Sequence, residues 1–349
     1  MMKTSVFKFL NSLGLDRLSR SQNRGRPVIL TFHGVTAEAP GGFCNYQGKH
    51  LHLPIFTRLM EHLAEHYQTV PLARVVGGLY GGAALPERAA VVTFDDGYRN
   101  VLTEAAPVLS RLDIPATVFM VTDFVTQDRM LWTDRLISAL ALTEKEELLF
   151  ELGGRTYEYS IRDEGEKKEA DRAVRKIRKA LSDEAGRDFI DQVIDRLGAS
   201  ESALADAWPC HQPLELGELK QLAAYGITAG SHTCSHPSLA RCSIEDMKHE
   251  LEESKKIIQE STGVPCDEFA YPNGSPADFS DVTRRQVMAA GYRSAVTTVS
   301  RRVVAGQDPF EIPRYINANN DTPAAEFAAE ASGYPTALRT LRNRLAGRR

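Results

Sequence analysis

The chain reads as an α/β protein built on a parallel sheet, closed into a barrel in preference to left open. Short apolar runs rich in β-branched residues recur along it. Amphipathic helical patterns separate them, and strands alternating with helices imply a parallel sheet. Residues able to do chemistry stand at the ends of several of these runs, which is where α/β folds place their sites. At 349 residues the chain has room for one large barrel domain, and 42% hydrophobic content supports a sizeable core.

Taken in order, residues 1–26 form a basic helix or tail, with Lys3, Lys8, Arg17, Arg20, Arg24 and Arg26 against the single acid Asp16. Phe7, Leu10, Leu13 and Leu18 could make an apolar helix face among these bases, suited to the surface of an anionic membrane. Two solvated, partly frayed termini are the plainer alternative. The barrel is expected over residues 27–320, with strands at 28–35, 89–97, 116–122, 227–233, 268–274 and 294–300. Between them Phe56, Leu59, Met60, Leu63 and Tyr67 keep helical spacing, as do Val101, Leu102, Ala105, Val108, Leu109 and Leu112, and then Ile244, Met247, Leu251 and Ile258. The last of these begins at Ser243-Ile-Glu-Asp246, a helix-start signal of the capping-box kind.

Residues 128–211 break the rhythm, being charged and helix-favouring apart from LFELGGRTYEYS, which suits a hairpin turning at Gly153-Gly154. They are read as an insertion between two barrel strands that forms a helical cap or lid. Residues 321–349 close the chain as a second basic helix or tail, whose last stretch, TALRTLRNRLAGRR, has five arginines and no acid.

A net charge of −4 argues against nucleic acid or a strongly acidic polymer as partner. No segment approaches the ~20 apolar residues of a membrane-spanning helix. The N-terminus lacks the apolar run and small-residue cleavage site of a secretory signal. Cys44, Cys210, Cys234, Cys242 and Cys266 form no CxxC pair and are odd in number, which suits reduced thiols. The expected location is cytoplasmic, with the basic termini allowing peripheral contact with the inner face of a membrane.

Three segments carry the chemistry. In Thr93-Phe94-Asp95-Asp96-Gly97 two adjacent carboxylates end an apolar strand, and a bend at Gly97 would let both approach one site. One could bind a metal while the other stays free as a base; the same triplet is also an ordinary turn and helix N-cap signal. In Ser231-His232-Thr233-Cys234-Ser235-His236-Pro237 two imidazoles four residues apart follow another strand, and with a carboxylate they could hold one divalent ion. His62 and His66 have the same spacing on an amphipathic helix away from any strand end and read as surface decoration. Cys234, between the two imidazoles, reads as a small buried residue rather than a softer ligand. In Glu268-Phe269-Ala270-Tyr271-Pro272-Asn273-Gly274 a strand ends in a tight turn, with Tyr271 as a wall and a backbone N–H, expected to be that of Tyr271, available to an oxyanion.

In this order the three segments resemble the polysaccharide deacetylase family, also called the NodB-homology domain or carbohydrate esterase family four. The likeness runs from about Val28 to Asn317, with the insertion outside the shared core. It implies a distorted (β/α)7 barrel of the NodB type. It also implies a metal held by Asp96, His232 and His236, with Asp95 as catalytic base. Two departures stand out. The family's third motif, Arg-x-Pro-Tyr, here has Ala270 for the arginine that fixes the base and Asn273 for the tyrosine. The Phe-Ala-Tyr-Pro form resembles a branch met in bacterial surface-polysaccharide enzymes. Arg314, in Glu311-Ile-Pro-Arg-Tyr315, is the candidate replacement cation. The family's Leu-His motif, source of the general acid, is absent, and His33, in Thr31-Phe-His-Gly34, is either its substitute or a structural histidine.

The expected function is therefore metal-dependent removal of an N-acetyl or other N-acyl group from an amino sugar in a glycan or glycan precursor. Tyr271, Pro272, Asn273 and Trp132 are expected near the substrate, Trp132 either stacking on a sugar ring or packed in a core. Zinc is the first choice of metal, with Co, Ni, Mn or Fe also suited to such a donor set. The rivals are a deformylase or another C–N hydrolase using the same site, and a glycan-binding module without turnover.

Overall fold

The computed structural model describes residues 7, 9–40, 42–127, 130–200, 202–204, 208–316 and 319–335. Eight parallel strands form its central sheet, seven of them in one path: β1 (Val28–Phe32), β2 (Ala89–Phe94), β3 (Ala116–Met120), β4 (Ile227–Ser231), β5 (Glu268–Ala270), β6 (Ser294–Val296) and β7 (Tyr315–Ile316), with the two-residue strand Gln68–Thr69 pairing with β2 off that path. Their spatial order is β6-β5-β4-β3-β2-β1-β7. Val296 of β6 also bridges in parallel to Ile312, three residues before β7 pairs with β1. One segment thus touches both ends of the sheet and closes the distorted (β/α)7 barrel.

The period-two alternation of a strand decides which side chains enter the barrel. Ile29, Val91, Phe119, Ala270, Val296 and Ile312 are wholly buried in one interior cluster. Their neighbours Leu30, Val92, Phe94, Val118 and Met120 belong instead to the outer cluster that holds the helices. Helix Leu53–His66 contributes Phe56, Leu59, Met60 and Leu63 to that outer core, each at most 1% exposed. Burying such side chains contributes roughly 1.5–3 kcal/mol apiece. Helix Ile244–Thr262 starts where the sequence signals it, with Ser243 Oγ accepting the Asp246 N–H at 3.1 Å, and stops at Gly263 in the left-handed conformation.

The strands end earlier than the apolar runs do. β4, β5 and β6 stop at Ser231, Ala270 and Val296, and the motif residues beyond them lie in turns. The insertion between β3 and β4 has helix Trp132–Leu142, an antiparallel hairpin of Glu147–Leu152 and Arg155–Ser160, and helices Glu164–Ala180 and Asp183–Leu197. The hairpin turns at Gly153 and Gly154, with φ of 61° and 74°, which favours glycine at both places. Leu136, Leu140, Phe150, Val174, Ile190 and Val193 give the insertion a core of its own, joined by Phe43 from the segment after β1.

At the other pole, helices Leu15–Gln22 and Ala324–Ser332 pack together, Ser19 Oγ donating to Ser332 O at 2.9 Å. Phe9, Leu13 and Leu18 are 62%, 62% and 58% exposed. The arginine-rich stretch 336–349 lies outside the described residues. No described helix is long and apolar enough to cross a membrane. All five cysteines are free thiols.

Candidate active site

The inward face of β2 runs Val91, Thr93 and then Asp95, so alternation alone sends the Asp95 side chain into the barrel. Asp96 should then face outward. It does not, because its own backbone is left-handed, with φ 76°. The bend expected at Gly97 therefore starts one residue earlier. Gly97 continues it at φ 94°, and a Cβ there would sit 3.3 Å from Met120 Cγ. A non-glycine residue in this conformation costs of order 1–3 kcal/mol. Among the described residues, Thr233, His236 and Asn273 share it, with φ of 71°, 61° and 60°, and only Asp113 does so away from the three motifs. Strain is concentrated at the mouth of the barrel.

This bend brings Asp96 to the paired imidazoles. Asp96 Oδ1 is 3.8 Å from Nε2 of His232 and 3.8 Å from Nε2 of His236. The three donor atoms lie within 4.8 Å of one another. His232 Nδ1 is 2.7 Å from the Ala270 carbonyl, which fixes the hydrogen on Nδ1 and leaves the Nε2 lone pair toward Asp96. Burial, and then His232, pull His236 down to about 3, so its imidazole is neutral near neutral pH and free to accept a cation. Burial pushes Asp96 upward, but Lys49, His33 and His236 outweigh this and hold it below the ordinary carboxylate range. One carboxylate and two imidazoles around a common point suit a divalent ion of the zinc class.

The loop carrying both histidines hangs on a residue that has no motif of its own. Glu250, on helix Ile244–Thr262, accepts the Cys234 N–H at 2.7 Å, the Ser235 N–H at 3.0 Å and the Ser235 hydroxyl at 2.7 Å. Cys234 is 3% exposed and burial raises its thiol to about 12, so it stays protonated.

Asp95 meets Arg314 deep in the barrel. Arg314 is fully buried and donates to both Asp95 oxygens, at 2.7 and 2.8 Å. Its other contacts are the Thr297 carbonyl at 3.0 Å, Thr93 Oγ1 at 3.1 Å and the ring of Phe119. Burial alone would raise the Asp95 carboxyl, but Arg314 and His232 more than offset it and hold it low. His33 continues the inward row Ile29, Thr31 at the barrel mouth and is half-buried. Burial lowers its basicity, against the upward pull of Asp96 and Asp95.

Lys49 completes the site and carries no sequence signal. Its Nζ is 3.4 Å from Asp96 Oδ2, 2.7 Å from Asp134 Oδ1 and 2.7 Å from the Tyr98 hydroxyl. Tyr98 in turn donates to Asp134 Oδ2 at 2.5 Å. Asp134 stands in the first turn of the insertion, so the insertion reaches the site through this lysine. The two oxygens of Asp96 are divided, Oδ1 toward the imidazoles and Oδ2 toward Lys49.

Other expected residues are placed differently. Tyr271 is 1% exposed, its hydroxyl donates to Phe310 O and its ring stacks on Phe279. Its backbone N–H already donates to Val296 O at 3.1 Å, so the expected oxyanion donor is engaged in the sheet. Pro272 is buried, and Asn273 is held in the turn by Thr298, whose hydroxyl donates to its carbonyl at 2.7 Å. Trp132 is half-buried, with the guanidinium groups of Arg175 and Arg178 5.6 and 5.4 Å from its ring. It packs on the insertion core and also lines a cleft that reaches Ser235 of the histidine loop. His62 and His66 belong to neither group of three metal-type donors among the described residues.

A closed parallel barrel with carboxylates and imidazoles gathered at the carboxyl ends of its strands is the class of molecule that the fold and this site define. The chain belongs to the polysaccharide deacetylase family, whose profile matches residues 82–190 and 203–295. Its fold is similar to that of the Streptococcus pyogenes deacetylase PplD in complex with acetate, with TM-score 0.57 and 15% identity over 88% of this chain and 98% of that one. It is also similar to IcaB from Ammonifex degensii, with TM-score 0.56 and 16% identity over 88% and 97% of the two chains. At such identities the likeness is one of fold. A 50-residue stretch is 44% identical to the poly-β-1,6-N-acetyl-D-glucosamine N-deacetylase of Escherichia coli K12, covering 14% of this chain and 7% of that protein.

Proposed function

We propose that this chain hydrolyses the N-acetyl group of an amino sugar in a glycan or glycan precursor, in the setting of surface-polysaccharide synthesis. The observation that carries the reading is the division between adjacent carboxylates: Asp95 is paired with Arg314, while Asp96 turns to two imidazoles. A base and a metal ligand are thereby separated within one dipeptide. The family and the short match to an N-acetylglucosamine deacetylase support the substrate class.

Asp96, His232 and His236 would hold the divalent ion, with zinc the first choice. When bound there, it supplies acidification of water and polarisation of the acyl carbonyl. Asp95, kept ionised by Arg314, removes a proton from the attacking water. The leaving nitrogen must gain a proton, because an amide anion is a very poor leaving group, and His33 stands at the mouth to deliver it. Burial keeps His33 neutral at rest. It must therefore first take up the proton that Asp95 has removed from water and then pass it to the leaving nitrogen, which returns both groups to their starting state. With the Tyr271 N–H engaged, Lys49 is the cationic donor placed beside Asp96.

Acetate release tests the reading, measured on β-1,6-linked N-acetylglucosamine oligosaccharides, nucleotide sugars and lipid-linked sugars. Formate in place of acetate would favour the deformylase alternative, and no product from a metal-loaded protein would favour a binding module. The exposed Phe9, Leu13 and Leu18 support a peripheral membrane contact, tested by cosedimentation with anionic vesicles.

A further inference from the structure

A second group of metal-type donors lies apart from the three motifs. His50, Cys210 and His211 each offer a ligand atom, and these atoms all lie within 4.8 Å of one another. His50 opens a short strand, His50–His52, that pairs with Gly34–Thr36 directly after β1. Cys210 and His211 belong to a 3-10 turn, Pro209–His211, at the far end of the insertion. The cluster joins two parts of the fold that are remote in sequence.

Its polar atoms are left wanting. His50 and His211 are 1% and 3% exposed. His50 Nε2 and His211 Nδ1 have no hydrogen-bond partner among the described residues. Buried polar atoms are rarely orphaned, and two in adjoining rings, 5.3 Å between centroids, call for a shared partner. The opposite edge of His50 is closed: a Cβ on Gly34 would stand 2.1 Å from its Nδ1, and Asn100 Nδ2 is 3.3 Å from the same atom. Nε2 is thus the nitrogen open to a ligand. Nitrogen and sulfur donors in this mixture select zinc over magnesium or calcium.

We propose that His50, Cys210 and His211 bind one structural cation of the zinc class that pins the end of the insertion to the barrel. Coordination through Nε2 places the ring hydrogen of His50 on Nδ1. The Asn100 amide must then turn to offer Oδ1, giving up its 3.1 Å bond from Val35 N–H and its own 3.1 Å bond to the Cys210 carbonyl. Two hydrogen bonds weigh little against the affinity of a structural zinc. The Cys210 thiol loses its proton on binding, since burial otherwise keeps it at about 11.

The test uses the full chain carrying Asp96→Ala and His232→Ala, so that the catalytic triad contributes no metal. The expected result is about one tightly held zinc per chain by elemental analysis, the stoichiometry of a single structural site. A chelator should lower its melting temperature. Replacement by cobalt should give a thiolate-to-cobalt charge-transfer band, which carboxylates and imidazoles cannot produce. Cys210→Ser should abolish the band; a full band in Cys210→Ser would overturn the assignment of its sulfur as a ligand. A folded double variant without zinc, without a cobalt band and without a chelator effect would overturn the proposal and leave an ordered water bridging the histidines.

Discussion

Both terminal nitrogens of Arg314 donate to the carboxylate of Asp95, at 2.7 and 2.8 Å, across 219 residues of chain. The third motif, where the family pattern has its arginine, holds Ala270 here, and the Ala270 carbonyl instead meets His232 Nδ1. The cation that reaches Asp95 comes from the last turn before β7. One position thus orients a metal-type ligand, while another strand end supplies the charge.

Replacing Arg314 with methionine should shift the acidic limb of kcat/KM to higher pH. Asp95 is held low mainly by Arg314 against the upward push of burial. A base works above its pKa, so losing the cation raises the pH below which activity fails. The sign for stability follows from the same depression: the pair stabilises the fold above the unfolded carboxyl pKa, and this is lost as pH falls through the folded value. Breaking so buried a pair should cost about 3–5 kcal/mol. A pH–rate profile and thermal melts check both; an unmoved acidic limb would separate Arg314 from the base.

Glu250→Ala should weaken metal binding by about 10- to 100-fold, the usual effect of removing a partner that orients ligands. Glu250 holds Cys234 and Ser235, between the two histidines, and touches neither carboxylate. Competition with a metal indicator measures the affinity. Glu250→Gln should recover part of it, because an amide oxygen still accepts the backbone bonds; equal losses in both variants would point to charge instead of loop geometry.

Lys49→Met should leave zinc content largely intact and lower kcat by roughly 10²-fold, the scale of one lost transition-state donor. Asp134→Asn should reproduce part of this loss, since Asp134 aims the lysine at Asp96. Lys49→Arg restores the charge and should recover some activity. Steady-state kinetics alongside elemental analysis tests the split, and unchanged kcat in Lys49→Met would reduce Lys49 to a tie for the insertion.

His33→Ala should depress amide hydrolysis by about 10²–10⁴-fold, the range for a proton-transfer group. An activated ester, whose leaving group needs little protonation, should suffer much less. Equal losses on both substrates would assign the proton delivery elsewhere.

The parts legible in the sequence were those carried by local pattern. Asp95, Asp96, His232 and His236 each follow an apolar run, and the structure brings the last three together at the ends of β2 and β4. The hairpin at Gly153-Gly154 was equally plain, because two residues in positive φ leave few alternatives to glycine. The seventh strand was not, since two residues and one bridge carry no periodicity. Lys49 and Asp134 meet across 85 positions, and Glu250 is one acid among many on a charged helix. Their contribution is tertiary and leaves no spacing to read. The Tyr271 N–H reads as a loop donor because the turn at Pro272 suggests that pairing has ended. The ladder persists for one more bond, to Val296.

The most direct test compares Asp95→Asn with Asp96→Ala, measuring bound metal and acetate released from an N-acetylglucosamine oligosaccharide in the same preparations. The account predicts that Asp95→Asn keeps its metal and loses acetate release, whereas Asp96→Ala loses both, as His232→Ala and His236→Ala should. His62→Ala and His66→Ala should match the parent in both measurements. Full acetate release by Asp95→Asn, or full metal in Asp96→Ala, would contradict the division of labour between the two carboxylates.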